Sequence, residues 1–248
     1  MPERPSGRVV IQVLVRAPAA TMTSMHQWWP LAGLRLTTPR LELRPPAGSD
    51  LTDLAGLAAS GVHDPAEQPF SIPWTDAAPV DRARSTLQYQ WTQQAHWEAS
   101  KWSLDLVVVH DGTVVGTQAI SAADFAILRE VATGSWLGLA HQGRGIGTEM
   151  RAAVLHLAFA GLGARYATSG AFTDNVASQR VSRKLGYVDD GIERQVRRGQ
   201  PATLLRLRLD RETWQQTQTV PVEISGLEAC LAMFGLGDEH ANAEPARP

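Results

Sequence analysis

One segment constrains the fold of this chain more than any other: Trp136–Met150, where an apolar strand runs into three glycines and then a helix. Gly143, Gly145 and Gly147 occupy every second position, and the helical pattern starts directly after them. A helix N-terminus exposes backbone N–H groups, and its dipole favours an anion. Because glycine has no Cβ, a bulky diphosphate can approach such a backbone closely. The junction therefore predicts a site for a phosphate-bearing cofactor.

The spacing of the glycines distinguishes between phosphate-binding motifs. A P-loop closes with Gly-Lys-Ser or Gly-Lys-Thr, which this chain lacks. The dinucleotide fingerprint needs its third glycine where Thr148 stands, and it opens a βαβ unit, whereas this run lies past mid-chain. Gln142–Gly147 instead resembles the Gln/Arg-x-x-Gly-x-Gly/Ala signature of the GCN5-related N-acetyltransferases (GNAT), which hold the pyrophosphate of acetyl-CoA. A plain strand-to-helix connection without a ligand is the alternative.

A second motif follows about 30 residues downstream, the distance that a strand and two loops require. It runs from Thr173 to Ser178 and continues as Val-Ser-Arg-Lys-Leu-Gly-Tyr, ending at Tyr187. Asp174 is predicted to cap a helix that Gly186 ends. The segment resembles the Asn-x-x-Ser…Lys-Leu-Gly-Phe/Tyr segment of the same superfamily, particularly of its ribosomal-protein N-terminal acetyltransferases (the RimJ/RimL-like branch).

The resemblance implies an α+β GNAT fold, with a mixed, mostly antiparallel sheet of six to seven strands, helices on both faces and a splay for acyl-CoA. Hydrophobic periodicity predicts the order strand, two helices, three strands, helix, strand, helix, two strands, which agrees with that fold. We assign residues 34–210 to this acyltransferase domain, 1–33 to an N-terminal extension and 211–248 to a C-terminal tail. In the tail we expect a strand at Thr219–Ile224 and an apolar helix at Gly226–Phe234 that covers the domain.

Both ends of the chain are less regular. Translation starting near Met22 and an added strand at Arg8–Val15 are alternative interpretations of the N-terminal extension. The last eleven residues are expected to be disordered.

The resemblance also implies where acyl-CoA binds. Its pantetheine arm would lie as a pseudo-strand between the end of the Ser135–Leu139 strand and the start of the Arg165–Phe172 strand. Backbone N–H groups of residues 144–148 are expected to bind the pyrophosphate, and Asn175 a pantetheine amide, although capping a helix is an equal alternative for Asn175. The expected cofactor-binding residues are Leu137, Leu139, Gln142, Gly143, Arg144, Gly145, Ile146, Gly147, Thr148, Asn175 and Ser178.

Amide formation needs a group that takes the proton of the amine and one that protonates the departing thiolate. Many relatives carry a tyrosine four residues before the glycine of the Leu-Gly-Phe/Tyr motif. This chain has Ser182 there, so the resemblance implies a hydroxyl hydrogen bond to sulfur; a small residue that makes room for the thioester is the alternative. Glu130 is the leading candidate for the base, ahead of Asp105 and Glu98, and His141 is a candidate proton relay.

The acceptor pocket is expected between residues 61–97 and a hairpin that turns at Gly199. The acceptor is predicted to be an amine-bearing small molecule or a protein N-terminus. Candidate lining residues are Trp74, Trp91 and Trp97, with a cationic patch of Arg194, Arg197 and Arg198.

Composition narrows the class of protein. The 248 residues are 44% hydrophobic and 19% charged with a net charge of −2, so the chain can bury a core, and no basic field favours nucleic acid or acidic membranes. Its single cysteine, Cys230, excludes an internal disulfide, and no apolar run approaches the ~20 residues that cross a bilayer. We expect a cytoplasmic protein without a metal site.

These observations favour an acyl-CoA-dependent N-acyltransferase that moves an acetyl group, or a succinyl group, directly to a primary amine. A non-catalytic acyl-CoA-binding sensor or scaffold is the main alternative, and a nucleotide-binding protein of another fold is a third. The oligomeric state stays open, with a homodimer as one alternative.

Overall fold

A nine-stranded sheet organises residues 25–237, the part of the chain that the computed structural model describes. The sequence interpretations that concern Met22, Arg8–Val15 and the last eleven residues lie outside this range. The strands are β1 (Arg35–Thr37), β2 (Leu41–Arg44), β3 (Lys101–His110), β4 (Thr113–Ala123), β5 (Glu130–Leu137), β6 (Tyr166–Phe172), β7 (Val188–Arg197), β8 (Gln200–Asp210) and β9 (Glu223–Ser225).

Helices connect and cover these strands. The α-helices are α1 (Met25–Trp28), α2 (Asp50–Ser60), α3 (Pro79–Ala95), α4 (Phe125–Leu128), α5 (Ile146–His156), α6 (Val176–Lys184) and α7 (Arg211–Thr217). A π-helical turn, Leu157–Gly161, prolongs α5. Short 3₁₀ helices are Pro30–Gly33, Trp74–Asp76, Leu139–His141 and Glu228–Phe234.

The sheet has the order β7-β8-β6-β5-β4-β3-β2-β1-β9. β5 and β6 are parallel, and the other neighbouring pairs are antiparallel, which confirms the predicted α+β class. The predicted count of six to seven strands is wrong. Two three-residue strands from the ends of the described range extend one edge, where Leu36 of β1 pairs with Ile224 of β9. Strands this short carry too little alternation to be counted from sequence.

Side-chain alternation along β3 places helices on both faces of the sheet. Leu106 and Val108 belong to the large core cluster that includes the apolar side of α5. Val107 and Val109, one residue out of phase, pack with Leu54 of α2 in a second cluster. A strand buried on both faces reads as a continuous apolar run, as β3 does.

The helix predicted after the glycines forms as expected. Ile146, Met150, Val154 and Leu157 are all buried. The preceding strand ends at Leu137 rather than at the predicted Leu139, because the chain turns into the 3₁₀ helix Leu139–His141.

The C-terminal segment packs into the same core. Phe234 is fully buried, with its ring 5.6 Å from that of Trp97 and 4.9 Å from that of Trp102. Cys230 beside it is buried as well, and burial raises the pKa of its thiol to about 11. The prediction that the C-terminal segment covers the domain is therefore confirmed. The domain boundary at residue 210 stays a prediction, since the tail shares both the sheet and the core.

Candidate active site

The two parallel strands, β5 and β6, separate along their length. Their ladder holds for three residue pairs, from Glu130↔Tyr166 to Ala132↔Thr168. Beyond these pairs, β5 continues against β4 alone and β6 against β8 alone. Thr133 Oγ1 donates to the Thr168 carbonyl at 3.1 Å and closes the narrow end. The gap opens towards the glycine loop, which gives the predicted splay.

The glycine loop lies at the open end of this splay. Gly143 and Gly145 have φ angles of +73° and +80°, in the left-handed region that favours glycine. A Cβ on Gly143 would meet nothing within 4 Å, and one on Gly145 would meet only the Arg40 guanidinium, at 3.4 Å. The backbone is therefore open to a bulky group.

Backbone donors at the start of α5 have no partner within residues 25–237. The N–H groups of Gly145, Ile146 and Gly147 donate no hydrogen bond to any group among residues 25–237. Thr148 differs, because its N–H donates to the Gly145 carbonyl at 3.1 Å. Three free donors at a helix N-terminus, on a backbone without side-chain obstruction, fit a diphosphate. The unpaired edges of β5 and β6 fit an extended pantetheine arm in the same way, so the residues present fit acetyl-CoA.

A buried carboxylate braces the loop from behind. Glu149 in the first turn of α5 accepts hydrogen bonds from Thr38 Oγ1 at 2.7 Å and from Arg40 Nε at 2.7 Å. Arg40 also donates to the Arg144 carbonyl at 3.2 Å. Burial alone would raise the pKa of Glu149, but the hydrogen bonds from Thr38 and Arg40 outweigh it and hold that pKa below its usual value. The brace thus ties the β1–β2 turn to the loop.

Gln142 anchors the other side of the loop. Its Nε2 donates to the Leu137 carbonyl at 3.0 Å and to the Val62 carbonyl at 2.6 Å. Leu137 is buried, whereas Leu139 is 54% exposed. The side chain of Gln142 therefore holds the end of β5 against the loop after α2, and its predicted contact with the cofactor stays a prediction.

The start of α6 corrects one prediction. The N-cap is Asn175, whose Oδ1 accepts from the Ser178 N–H at 3.1 Å, and not Asp174. Asp174 is instead bound by both terminal nitrogens of Arg197, at 2.8 and 2.5 Å. The capping alternative for Asn175 is thus what its side chain does in this structure, and binding of pantetheine by Asn175 and Ser178 stays a prediction.

Ser182 lies on the inner side of α6 and is fully buried. Its Oγ accepts from Arg151 Nη1 at 3.3 Å, and the same nitrogen donates to Ser169 Oγ at 3.1 Å. The other terminal nitrogen, Nη2, donates to Ser135 Oγ at 3.1 Å. One guanidinium on α5 therefore joins β5, β6 and α6 at the point where the two strands part.

Glu130 lies away from this point. It stands five residues before Ser135 on β5, about 16 Å along an extended strand. Its carboxylate is ion-paired with Arg208 of β8, whose guanidinium covers the Tyr166 ring at 4.2 Å. The geometry thus gives no support to Glu130 as a base next to Ser182, and its catalytic role stays a prediction.

The other candidate bases are also engaged or distant. Asp105 is buried beneath α3, where it accepts from Ser103 Oγ at 2.7 Å. Burial raises the pKa of Asp105, and its bonds to Ser103 and Tyr89 offset that only in part. Glu98 is exposed in the turn before β3, and His141 lies in the 3₁₀ helix before the glycine loop.

On the opposite face of β5, aromatic rings line the approach to the splay. Trp136 lies 5.6 Å from Trp74, which lies 5.3 Å from Phe70. Of the three tryptophans proposed to line an acceptor pocket, the structure brings Trp74 to the splay strand. Trp91 is 53% exposed on α3, and Trp97 belongs to the core around Phe234.

Arginines of the β7–β8 hairpin close over this aromatic side. Arg198 binds Asp76 at 2.6 Å and donates to the Pro65 carbonyl at 3.1 Å. Arg197, besides Asp174, donates to the Gln68 carbonyl at 3.2 Å. The predicted cationic patch is therefore largely neutralised, and it fastens the hairpin to the loop between α2 and α3.

Sequence reasoning missed the cluster of Arg151 with Ser135 and Ser169, and it missed the brace formed by Glu149, Arg40 and Thr38. The one available signal was a charged residue, Arg151, directly beside the apolar stripe of α5. A single such residue predicts no partner, because its contacts come from three separate elements.

Neither a metal cluster nor a membrane span occurs in the described range. No three His, Cys, Asp or Glu side chains among residues 25–237 lie close enough together to hold a metal ion. No helix of that same range is long and apolar enough to cross a bilayer.

A splayed parallel pair followed by a glycine loop with free donors is the arrangement that the GNAT resemblance implies for an acyl-CoA-dependent acyltransferase. A family profile described as Acetyltransferase (GNAT) domain matches residues 40–188. The match spans more than half of the chain, so the chain belongs to this family and is an acetyl-CoA-dependent N-acetyltransferase.

Solved structures share the fold at low identity. Mycobacterium smegmatis RimJ, in complex with a CoA disulfide, gives a TM-score of 0.61 at 18% identity, over 82% of this chain and 95% of its own. RimL, a ribosomal alpha-N-protein acetyltransferase in complex with CoA, gives 0.59 at 19%, over 71% and 97%. A GCN5-related N-acetyltransferase from Brucella melitensis gives 0.58 at 20%, over 74% and 81%.

Proposed function

We propose that this enzyme binds acetyl-CoA in the β5–β6 splay and transfers its acetyl group directly to the primary amine of a protein N-terminus. The single observation that carries the cofactor assignment is the set of free N–H groups at Gly145, Ile146 and Gly147, at the open end of the splay. When bound, acetyl-CoA supplies an activated acetyl thioester.

The chain's own residues would bind acetyl-CoA and orient its thioester. The free N–H groups and the dipole of α5 hold the pyrophosphate, and the unpaired edges of β5 and β6 hold the pantetheine arm. The brace at Glu149 keeps the loop in this conformation. Ser182, at the narrow part of the splay, offers a hydroxyl to the thioester sulfur.

The amine enters from the aromatic side, past Trp74 and Trp136. Placing an amine and a thioester together supplies much of the rate in such a reaction. With Glu130 ion-paired and Asp105 bonded beneath α3, we propose that the amine gives its proton to water rather than to one of these carboxylates.

A protein N-terminus is the acceptor class to test first. RimL, a structural neighbour, is a ribosomal alpha-N-protein acetyltransferase, which supports this choice. An amine-bearing small molecule is the second class. A cytoplasmic location would give access to both.

The proposal is tested by thiol release from acetyl-CoA and succinyl-CoA with peptides that carry free N-termini, polyamines and aminoglycosides. Matched peptides with blocked N-termini are the controls. We expect acetyl-CoA turnover that needs a free amine, with an acetylated product seen by mass spectrometry. Binding of acetyl-CoA without turnover on any amine would contradict the proposal and favour the non-catalytic sensor or scaffold.

A further inference from the structure

The guanidinium of Arg151 is a buried cation without a counterion. Its side chain is 4% exposed, and no carboxylate among residues 25–237 pairs with it. Its three hydrogen bonds all go to serine hydroxyls, and its Nε has no partner. Burying a charge in this way is expensive unless a ligand of opposite charge compensates it.

The Arg151 guanidinium lies inside the splay, where β5 and β6 separate. Arg151 lies six residues after Gly145, about 9 Å along α5, so it lies deeper in the splay than the glycine loop. Its nitrogens reach Ser135 on β5 and Ser169 on β6, just past the last paired residues of the two strands. A pantetheine arm that starts at the loop and follows the splay would run towards this point.

The three serines complete a site for an anion. Each Oγ accepts from Arg151, so each hydroxyl keeps its own proton for donation. Arg151 Nε adds a buried N–H donor that has no partner within residues 25–237. Unsatisfied polar atoms at this depth point to a ligand that supplies their partners.

The surrounding titratable groups leave Arg151 as the dominant charge. Tyr187 faces it, and burial raises the pKa of that phenol, so it stays neutral. Burial lowers the pKa of Arg151, but a guanidinium starts so high that it stays charged. Other titratable groups on the packed elements are paired elsewhere, packed against other rings or exposed: Glu149 and His156 on α5, Glu130 on β5, Tyr166 on β6, and Arg180, Arg183 and Lys184 on α6.

We propose that Arg151, acting with Ser182, Ser135 and Ser169, stabilises the negative charge on the CoA sulfur as the acetyl group leaves. In this step the amine nitrogen forms a bond to the carbonyl carbon and the C–S bond breaks. Its electron pair goes to sulfur, and the amine proton goes to water. A fixed cation stabilises this negative charge without donating a proton. A serine hydroxyl alone stabilises the charge poorly.

This inference rests on the proposed function and adds to it a role for Arg151 at the CoA sulfur. The test measures the thiol pKa of enzyme-bound CoA from the ultraviolet absorbance of the thiolate. We expect the wild type to lower that pKa by about 1 to 3 units relative to free CoA. Arg151→Met should abolish the shift, Arg151→Lys should keep part of it, and the exposed Arg211→Met should leave it unchanged.

A second measurement needs no variant. The affinities of the wild type for CoA and for desulfo-CoA, which lacks the thiol, are compared by calorimetry across a pH series. The preference for CoA should grow as pH rises towards the thiol pKa.

Four results would overturn the inference. An equal thiol pKa in the wild type and in Arg151→Met would remove the role of the cation, as would a pH-independent preference for CoA. An Arg151→Met variant that loses only succinyl-CoA affinity would assign the cation to an acyl carboxylate. Absence of any CoA binding would overturn this inference and the proposed function together.

Discussion

Ser182 illustrates how far a single residue can be understood from its surroundings. The family resemblance places a hydroxyl at this position, and the structure shows it fully buried and bound by Arg151. A serine alone is a weak acid. A neighbouring cation changes what that hydroxyl can do, because it favours negative charge on whatever the hydroxyl contacts.

Replacing Ser182 tests its contribution to chemistry. In Ser182→Ala we expect kcat to fall about 10- to 100-fold, with KM for acetyl-CoA nearly unchanged, because a hydrogen bond to developing charge is worth about 1.5–3 kcal/mol. Steady-state thiol release measures both constants. Ser100→Ala, in the exposed turn before β3, is the control, and an unaltered kcat in Ser182→Ala would leave the residue as a spacer.

Glu149 gives a prediction for stability. Its pKa is lowered in the folded state, so its contribution is present above the unfolded value near 4.3 and is lost as pH falls through the folded value. We expect Glu149→Gln to cost about 1.5–3 kcal/mol at pH 7, and its cost to shrink at lower pH. Urea unfolding at pH 7 and at about pH 3 measures this. The exposed Glu67→Gln serves as the control; an equal cost at both pH values would contradict the account.

At the level of elements, the β7–β8 hairpin is fastened to the loop after α2 by Arg197 and Arg198. The ion pairs of Arg197 with Asp174 and of Arg198 with Asp76 are partly exposed, so each contributes little to stability. Their effect on the acceptor side should be larger than their effect on folding, because they fix the position of a loop that carries Phe70 and Trp74.

Removing the ion pair between Arg198 and Asp76 tests whether it affects the acceptor side without affecting the CoA side. We expect Arg198→Met to raise KM for the amine severalfold while the Kd of acetyl-CoA stays the same. The matched control is Arg194→Met on the same hairpin, where the lost bond is one to Thr203 within the hairpin itself. If both variants change KM for the amine equally, the ion pair between Arg198 and Asp76 does not position the acceptor side.

The same elements show what the sequence could predict. Both motifs, the glycine loop and the Asn175 segment, are local, so periodicity and turn residues sufficed for the helices and strands around them. The predicted N-cap was wrong because of a non-local contact: Arg197 of a distant hairpin binds Asp174, and Asn175 caps α6 instead.

At the scale of the whole molecule, two short strands near the two ends of the described range extend the acetyltransferase sheet. β1 and β9 pair although they lie far apart in sequence, and Phe234 closes the core against Trp97 and Trp102. Contacts of such sequence separation leave no periodic signal. For the same reason Arg151 could not be assigned to a site, whereas the splay followed from the family resemblance.

The C-terminal cover predicts a large loss of stability. Phe234→Ala should lower the free energy of unfolding by about 3–5 kcal/mol, because it opens a cavity among packed rings. Denaturant unfolding measures it, with Ile127→Ala, 81% exposed, as a control that should change stability by less than about 0.5 kcal/mol. A small loss in Phe234→Ala would mean that the cover contributes little to the fold.

The central claim is that the splay and the glycine loop bind acetyl-CoA, and calorimetric titration of the wild type and of Gly145→Glu tests it most directly. A glutamate at Gly145 would be strained at a φ of +80°, and its carboxylate would occupy the free donors in place of the pyrophosphate. Gly48→Glu, at another positive φ with open surroundings, controls for backbone strain. The account predicts binding with a Kd in the micromolar range by the wild type and Gly48→Glu and its loss in Gly145→Glu; equal binding by all three, or binding by none, would contradict it.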